Sequence, residues 1–170
     1  MDTVTMPESG AESFESLVAL LDYPMFVVTT RAGDVKSGCL VGFASQTSIN
    51  PPRFLIGLSK RNKTFRVAQD ATHLAVHVIA RENIDLARLF GGETGDEIDK
   101  FDRCAWHIGP EGVPVLDGAG AWFVGKILDR FEVGDHVGHV LDPIAGQPPG
   151  EFTDWVTFAD VRDVTPGHEA

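Results

Sequence analysis

The sequence predicts a mainly β protein, an antiparallel barrel or sandwich with a few short flanking helices. Three observations lead there. About seven strand-like runs follow one another at short spacing, each bounded by Gly, Pro, Asp or Asn. Helical patterns are few and clustered, whereas a doubly wound sheet needs them to alternate with strands. No Gly-x-Gly-x-x-Gly follows any strand, so the fingerprint of a dinucleotide-binding α/β sheet is missing. At 170 residues the chain reads as one domain, long enough to bury a core without staples.

The expected division is a loose tail over residues 1–12, a folded domain over 13–160 and a charged tail over 161–170. Ser13 to Leu21 sets Phe14, Leu17, Val18, Leu20 and Leu21 at helical spacing, with Ser9 or Ser13 as cap and Pro24 as stop. Met25–Thr30 is β-rich, Ala32-Gly33-Asp34 is a turn, and Val35–Ala44 is extended again, which makes a hairpin. A polar loop and the Pro51-Pro52 turn lead into an apolar strand over Phe54–Leu58. A short helix is expected over Asn62–Gln69.

Thr72–Ala80 is a further strand carrying His73 and His77. On a helix that spacing would suit a metal, but on a strand four residues span about 13 Å, too far for one ion. Asn83–Phe90 reads as a helix capped by Asn83. The run Gly91–Phe101, GGETGDEIDKF, is too glycine-rich and acidic for core and reads as an excursion ending in a short helix over Asp96–Phe101. Strands follow at Cys104–Ile108, Val113–Leu116 and Gly120–Val133, the last with Trp122 and Phe123 on opposite faces. Gly134-Asp135 is a hairpin turn, His136–Ile144 pairs back, Pro148-Pro149-Gly150 closes, and Phe152–Phe158 offers one more strand.

Charge narrows the function. A net charge of −11 opposes a nucleic-acid partner, because backbone phosphates are repelled by the whole molecule. Yet none of the 25 acids falls between Asp34 and Asp70, while Lys36, Arg53, Lys60, Arg61, Lys63 and Arg66 all do. This window, Ser37 to Arg66, reads as the place where a small anion is held, its plainer alternative being a solvated surface loop. No apolar run reaches membrane-spanning length and no signal-peptide pattern is present, so the expectation is a cytoplasmic protein without a membrane partner. Cys39 and Cys104 lack CxxC spacing and read as small buried hydrophobes. Asp135, His136 and His139 make a poor set for zinc, and no metal is expected. Phosphate-loop, nucleophile-elbow and HExxH patterns are absent.

The run GFASQTSINPPRFLIGLSKRNKTF, followed by LAVHVI, a DKF element, WFVGKI and the Gly134-Asp135-His136 hairpin, resembles the flavin reductase family. The likeness extends over roughly Phe14–Phe158. It implies an antiparallel split β-barrel with a few short flanking helices, usually a homodimer whose partner completes each flavin site. By the same resemblance the flavin ring lies along Ala44, Ser45, Gln46, Thr47, Ser48 and Asn50. The phosphate of FMN, with FAD as a further option, is held by Ser59, Lys60, Arg61, Asn62 and Thr64. His136 lies near flavin and nicotinamide as the candidate catalytic residue. Turn chemistry and helix capping are the alternative reading of these side chains.

The reaction implied is hydride transfer from NADH or NADPH to flavin N5, with reduced flavin passing to a partner monooxygenase or another acceptor. The alternatives are a flavin-binding electron-transfer or sensor protein without reductase activity, and a deazaflavin-dependent oxidoreductase. The acids of Gly91–Asp99 depart from the pattern, since they would repel a second phosphate-rich molecule there.

Overall fold

The computed structural model describes residues 9–167. Seven strands form one antiparallel sheet in the order β2-β1-β5-β8-β9-β4-β3. They are β1 (Phe26–Ala32), β2 (Val35–Val41), β3 (Ala44–Ser48), β4 (Arg53–Ser59), β5 (His73–Val78), β8 (Ala121–Glu132) and β9 (His136–Gln147). A separate two-stranded ribbon pairs β6 (Trp106–Ile108) with β7 (Pro114–Leu116). Four α-helices flank the strands: α1 (Gly10–Val18), α2 (Lys63–Ala68), α3 (Ile84–Gly92) and α4 (Phe158–Val161).

The sheet is curled. Val28 and Cys39 from its β2–β1 end share one buried cluster with Ile56 and Leu58 of β4, Leu74 and Val76 of β5, and Leu141 of β9. Strands from both ends of the order therefore wall the same core, while edge strands β2 and β3 do not pair with each other. That is the split barrel. A second cluster lies outside it, where Met25, Val27 and Ile79 meet Phe90 of α3, Phe101, Leu116 and Val156. Val27 and Val28 thus face different cores, which is why Met25–Val28, at the start of β1, is apolar at every position. Trp122 and Phe123 divide as expected: Phe123 packs edge-on against Phe54 at 5.4 Å, and Trp122 packs against a third cluster with Ala75 and Val113.

His77 links the layers. Its Nδ1 donates to the Val27 carbonyl at 2.8 Å, which leaves Nε2 to accept the Leu116 amide at 3.1 Å. It is fully buried, so burial lowers its pKa from 6.5 to about 4. Both cysteines lie within the fold; Cys39 is a barrel residue and Cys104 is half-buried, and burial pushes both thiols up.

Several expectations need correction. Helix α1 starts at Gly10 because Ser9 and Glu12 close a reciprocal capping box, so the tail does not extend to residue 12. It stops at Val18, short of Leu21. The segment expected to be core-free buries Lys100 and Phe101, and its short helix is a 3-10 turn over Lys100–Arg103 capped by Asp99. Asn83 makes no cap bond; its amide donates to the Gly118 carbonyl at 3.0 Å. Phe152–Phe158 is not a strand. It crosses the ends of β1 and β5 through single bridges, Pro24 to Thr157 and Ala80 to Trp155, and then turns into α4.

Candidate functional site

Strand register assembles the site. In the β4–β9 ladder Ser59 stands opposite His136, and the Lys60 amide donates to the Asp135 carbonyl at 3.0 Å. The end of the Ser-Lys-Arg-Asn-Lys-Thr run and the Gly134–His136 hairpin, far apart in sequence, therefore meet. Asn62 caps α2 by accepting the Thr64 amide at 2.9 Å, which directs the chain away from the sheet at this point.

A cleft of ≈ 330 Å³ opens beside this junction. One side carries Ser59, Asn62 and His136, and another carries Leu40, Val41, Gly42 and Phe43 from the end of β2 and the link to β3. Met25, Leu58 and Phe90 make its apolar floor, and Glu93, Thr94 and Gly95 border it. Phe43 packs on the His136 ring at 4.8 Å. His136 Nδ1 is 2.6 Å from the Asp135 carboxylate, and that bond holds Asp135 below the usual carboxylate range. With Nδ1 engaged, Nε2 is the ring nitrogen left for a ligand.

The structure separates residues that the sequence reading placed together. Ala44–Ser48 is not a loop but the edge strand β3, exposed over Ser45–Thr47. An antiparallel hairpin sets the start of β3 beside the end of β4, with Ala44 opposite Ile56 and Ser48 opposite Arg53. Asn50 and its turn consequently lie roughly 20 Å along β4 from Ser59. Gly42 and Phe43 take the place beside Ser59 instead. Ser45 Oγ and Gln46 Nε2 bond local carbonyls, at 3.0 and 3.2 Å. Thr64 is fully buried, with its hydroxyl 2.9 Å from that of Ser37.

The acid-free window is not acid-free in space. Arg66 holds Asp96 through two 2.7 Å bonds, Arg53 meets Asp142 at 3.0 Å, Lys36 meets Asp99 at 3.6 Å, and Lys60 pairs with Glu132. Two of those acids, Asp96 and Asp99, come from the segment expected to repel phosphates. Pairing removes much of that repulsion and much of the window's excess positive charge.

Residues 18–153 match the model of the flavin reductase like domain. The chain belongs to that family. It is 28% identical over 130 residues to an FMN reductase (NADH) RutF of Ancylobacter novellus, covering 76% of this chain and 71% of that protein. It is 28% identical over 140 residues to the reductase component of a flavin-dependent trigonelline monooxygenase of Acinetobacter baylyi, 80% of this chain but only 42% of the other. An NADH:FAD oxidoreductase of Streptomyces globisporus superposes with a TM-score of 0.78 at 22% identity over 90% of each chain.

Within this member of the family, sequence reasoning missed the Leu40–Phe43 wall, because GCLVGF was read as ordinary strand. Gly42 was the available signal: a Cβ there would lie 2.7 Å from the Tyr23 ring. Val161, Val164 and Pro166, from the segment expected to be a charged tail over 161–170, line the cleft, while residues 168–170 lie outside the described residues. Among the described residues no helix is long and apolar enough to cross a membrane.

Asn62→Ala is expected to lower stability by about 1 kcal/mol, since it removes the cap of α2. Thermal melting checks this, and an unchanged melting temperature would show that the cap bond contributes nothing.

Proposed function

We propose that the protein is an NADH-dependent flavin reductase whose flavin occupies the cleft between Ser59, Asn62, His136 and the Leu40–Phe43 wall. The observation that carries this reading is the β4–β9 register, which brings the Ser59 and His136 ends together in a chain of this family.

The residues present suit a flavin. Hydroxyl, amide and imidazole groups border an otherwise apolar cleft, and its volume is at the lower end for a small-molecule site. When bound, the flavin supplies the ring that takes hydride from the nicotinamide. Ser59 and Asn62 would hold the polar end of the ligand, with Lys60, Arg61 and Thr64 supporting the same turn. His136, oriented by Asp135, would position the ring or the incoming nicotinamide. Met25, Val41 and Leu58 would exclude water from the bound ring. No side chain is required as a nucleophile.

FMN is the proposed flavin and FAD the alternative, as relatives are named for each. NADH is proposed over NADPH on the same ground. A partner monooxygenase is the proposed recipient of reduced flavin, by analogy with the relative named as a reductase component. We also propose a homodimer in the cytoplasm. Phe14, Phe43 and Ile49 are exposed, and a second copy would cover them and bring another edge strand toward the exposed Ser45–Asn50 side chains.

Mixing the purified protein with FMN and NADH without oxygen tests the reading directly. Bleaching of the flavin absorbance is expected. If FMN binds but no donor, including a reduced deazaflavin, bleaches it, the protein is a flavin carrier and not a reductase. Sedimentation at micromolar concentration tests the dimer.

A further inference from the structure

Phe158, Val161, Val164 and Pro166 all line the cleft, so one short stretch of chain borders it. Backbone pairing anchors this stretch only at its start. The Phe158 amide donates to the Tyr23 carbonyl at 2.9 Å, and the two rings stack at 5.0 Å. Past α4 the Val164 amide bonds the Val161 carbonyl at 2.9 Å, and among the described residues no backbone hydrogen bond ties 164–167 to the rest of the fold. Side chains hold it instead. Arg88 of α3 meets the Asp163 carboxylate at 3.1 Å and the Asp160 carbonyl at 3.4 Å. The two side chains of that ion pair are 39% and 70% exposed, and a pair so open to water contributes little.

The stretch over 91–96 on which it rests is fixed more firmly. Lys63 donates to the Gly95 carbonyl at 3.1 Å, and Arg66 grips Asp96 through two 2.7 Å bonds. Contact between the two stretches is close. A Cβ at Gly167 would lie 2.4 Å from the Glu93 carbonyl carbon, and one at Gly92 would lie 3.3 Å from Val164 Cγ1. Glycine at 167 lets backbone lie on backbone, and no directional bond opposes separation there. A segment without ladder bonds sits at the low end of a protein's local stabilities, so of these two rim elements the C-terminal one is the part that moves.

We propose that residues 161–167 are a strap that closes over the cleft and lifts to exchange flavin, and that its latch, Arg88 with Asp163, sets how long a flavin is kept. The identity of the ligand rests on the reductase reading; the motion of the strap does not. Val161, Val164 and Pro166 bring only hydrocarbon side chains to the cleft, so they cover a ring by contact alone. A weak latch suits a protein that passes its reduced flavin on, because release requires opening.

Gly92→Cys combined with Val164→Cys places two thiols where a disulfide can join them. In the oxidised double variant FMN association and dissociation, followed by flavin fluorescence in stopped flow, are both expected to slow by roughly tenfold or more, and reduction of the disulfide to restore them. Arg88→Ala, without the latch, is expected to release FMN several-fold faster than wild type. Melting temperatures check that both variants fold. A fixed wall predicts equal rates before and after reduction of the disulfide, and that result overturns the strap. Cys39 lines the cleft and is 3% exposed, so its alkylation, resolved by peptide mass, reads opening without any flavin. It should be slower than wild type in the oxidised double variant and faster in Arg88→Ala; equal alkylation in all forms also overturns the strap. If no form binds FMN while Cys39 alkylation still follows the latch, the reductase reading fails and the strap stands.

Discussion

Leu141→Ala is expected to destabilise the protein by about 3 kcal/mol, within the range for removing a fully buried leucine from a core. Leu141 has no exposed surface and packs in the barrel with residues of β1, β2, β4 and β5. Its Cβ fits against Gly125, where a Cβ would approach to 2.7 Å. β9 is hydrogen-bonded to β8 on one side and β4 on the other, so the backbone around Leu141 is poorly placed to collapse into the vacated space. Urea unfolding of the variant measures the loss. Leu128→Ala, at a position 46% exposed on β8, is the control and should change stability by no more than about 0.5 kcal/mol. A similar small effect at Leu141 would mean that the barrel interior is not the close-packed core described above.

Acid is expected to remove roughly 3 kcal/mol through His77 alone, since its pKa falls from 6.5 to about 4 on folding. The sign follows from which state binds the proton. Between those values the unfolded chain carries a protonated His77 and the folded chain a neutral one, so lowering the pH favours unfolding. The contribution is complete above pH 6.5 and is lost progressively as pH falls toward about 4. Burial lowers the His139 pKa as well, and its effect has the same sign. The depressed carboxylates, among them Asp96 and Asp135, act only at lower pH, below their ordinary value of 3.8. Unfolding free energies measured from pH 7 to pH 4.5 should therefore decline before those carboxylates titrate. A flat profile over that interval would show that His77 is not held neutral. His77→Gln should flatten the profile while lowering stability at pH 7, because the Val27 carbonyl and the Leu116 amide lose their shared partner.

What could be read from the sequence was set by local physics. The alternation that puts Trp122 and Phe123 on opposite faces, the Gly134-Asp135 turn and the helices expected over Asn62–Gln69 and Asn83–Phe90 all depend on near neighbours in the chain. The order of apolar runs and turns was enough to give the fold class, and the quoted motifs were enough to give the family. Cys39 could be assigned to the interior of the fold without coordinates, because its neighbours are apolar, whereas the burial of His77 was not read.

What could not be read depends on partners distant in sequence. The acid-free window looked positive because its carboxylates arrive from elsewhere: Asp96, Asp99, Glu132 and Asp142 are brought in by pairing and by the return of the Gly91–Asp99 segment. The spacing of the two polar stretches could not be read either: the hairpin places the Asn50 turn at the far end of β4 from Ser59, a separation that chain order does not reveal. The C-terminal residues looked like a tail because Val164 and Pro166 have no local periodicity, and only the tertiary structure places them beside the cleft. By itself, then, the sequence determined the β-barrel class, the family and most element positions, since patterning and turn chemistry act over a few residues. The tertiary structure decided which polar groups share a cleft and which charges are cancelled, since strand register and burial act between residues that the chain keeps apart.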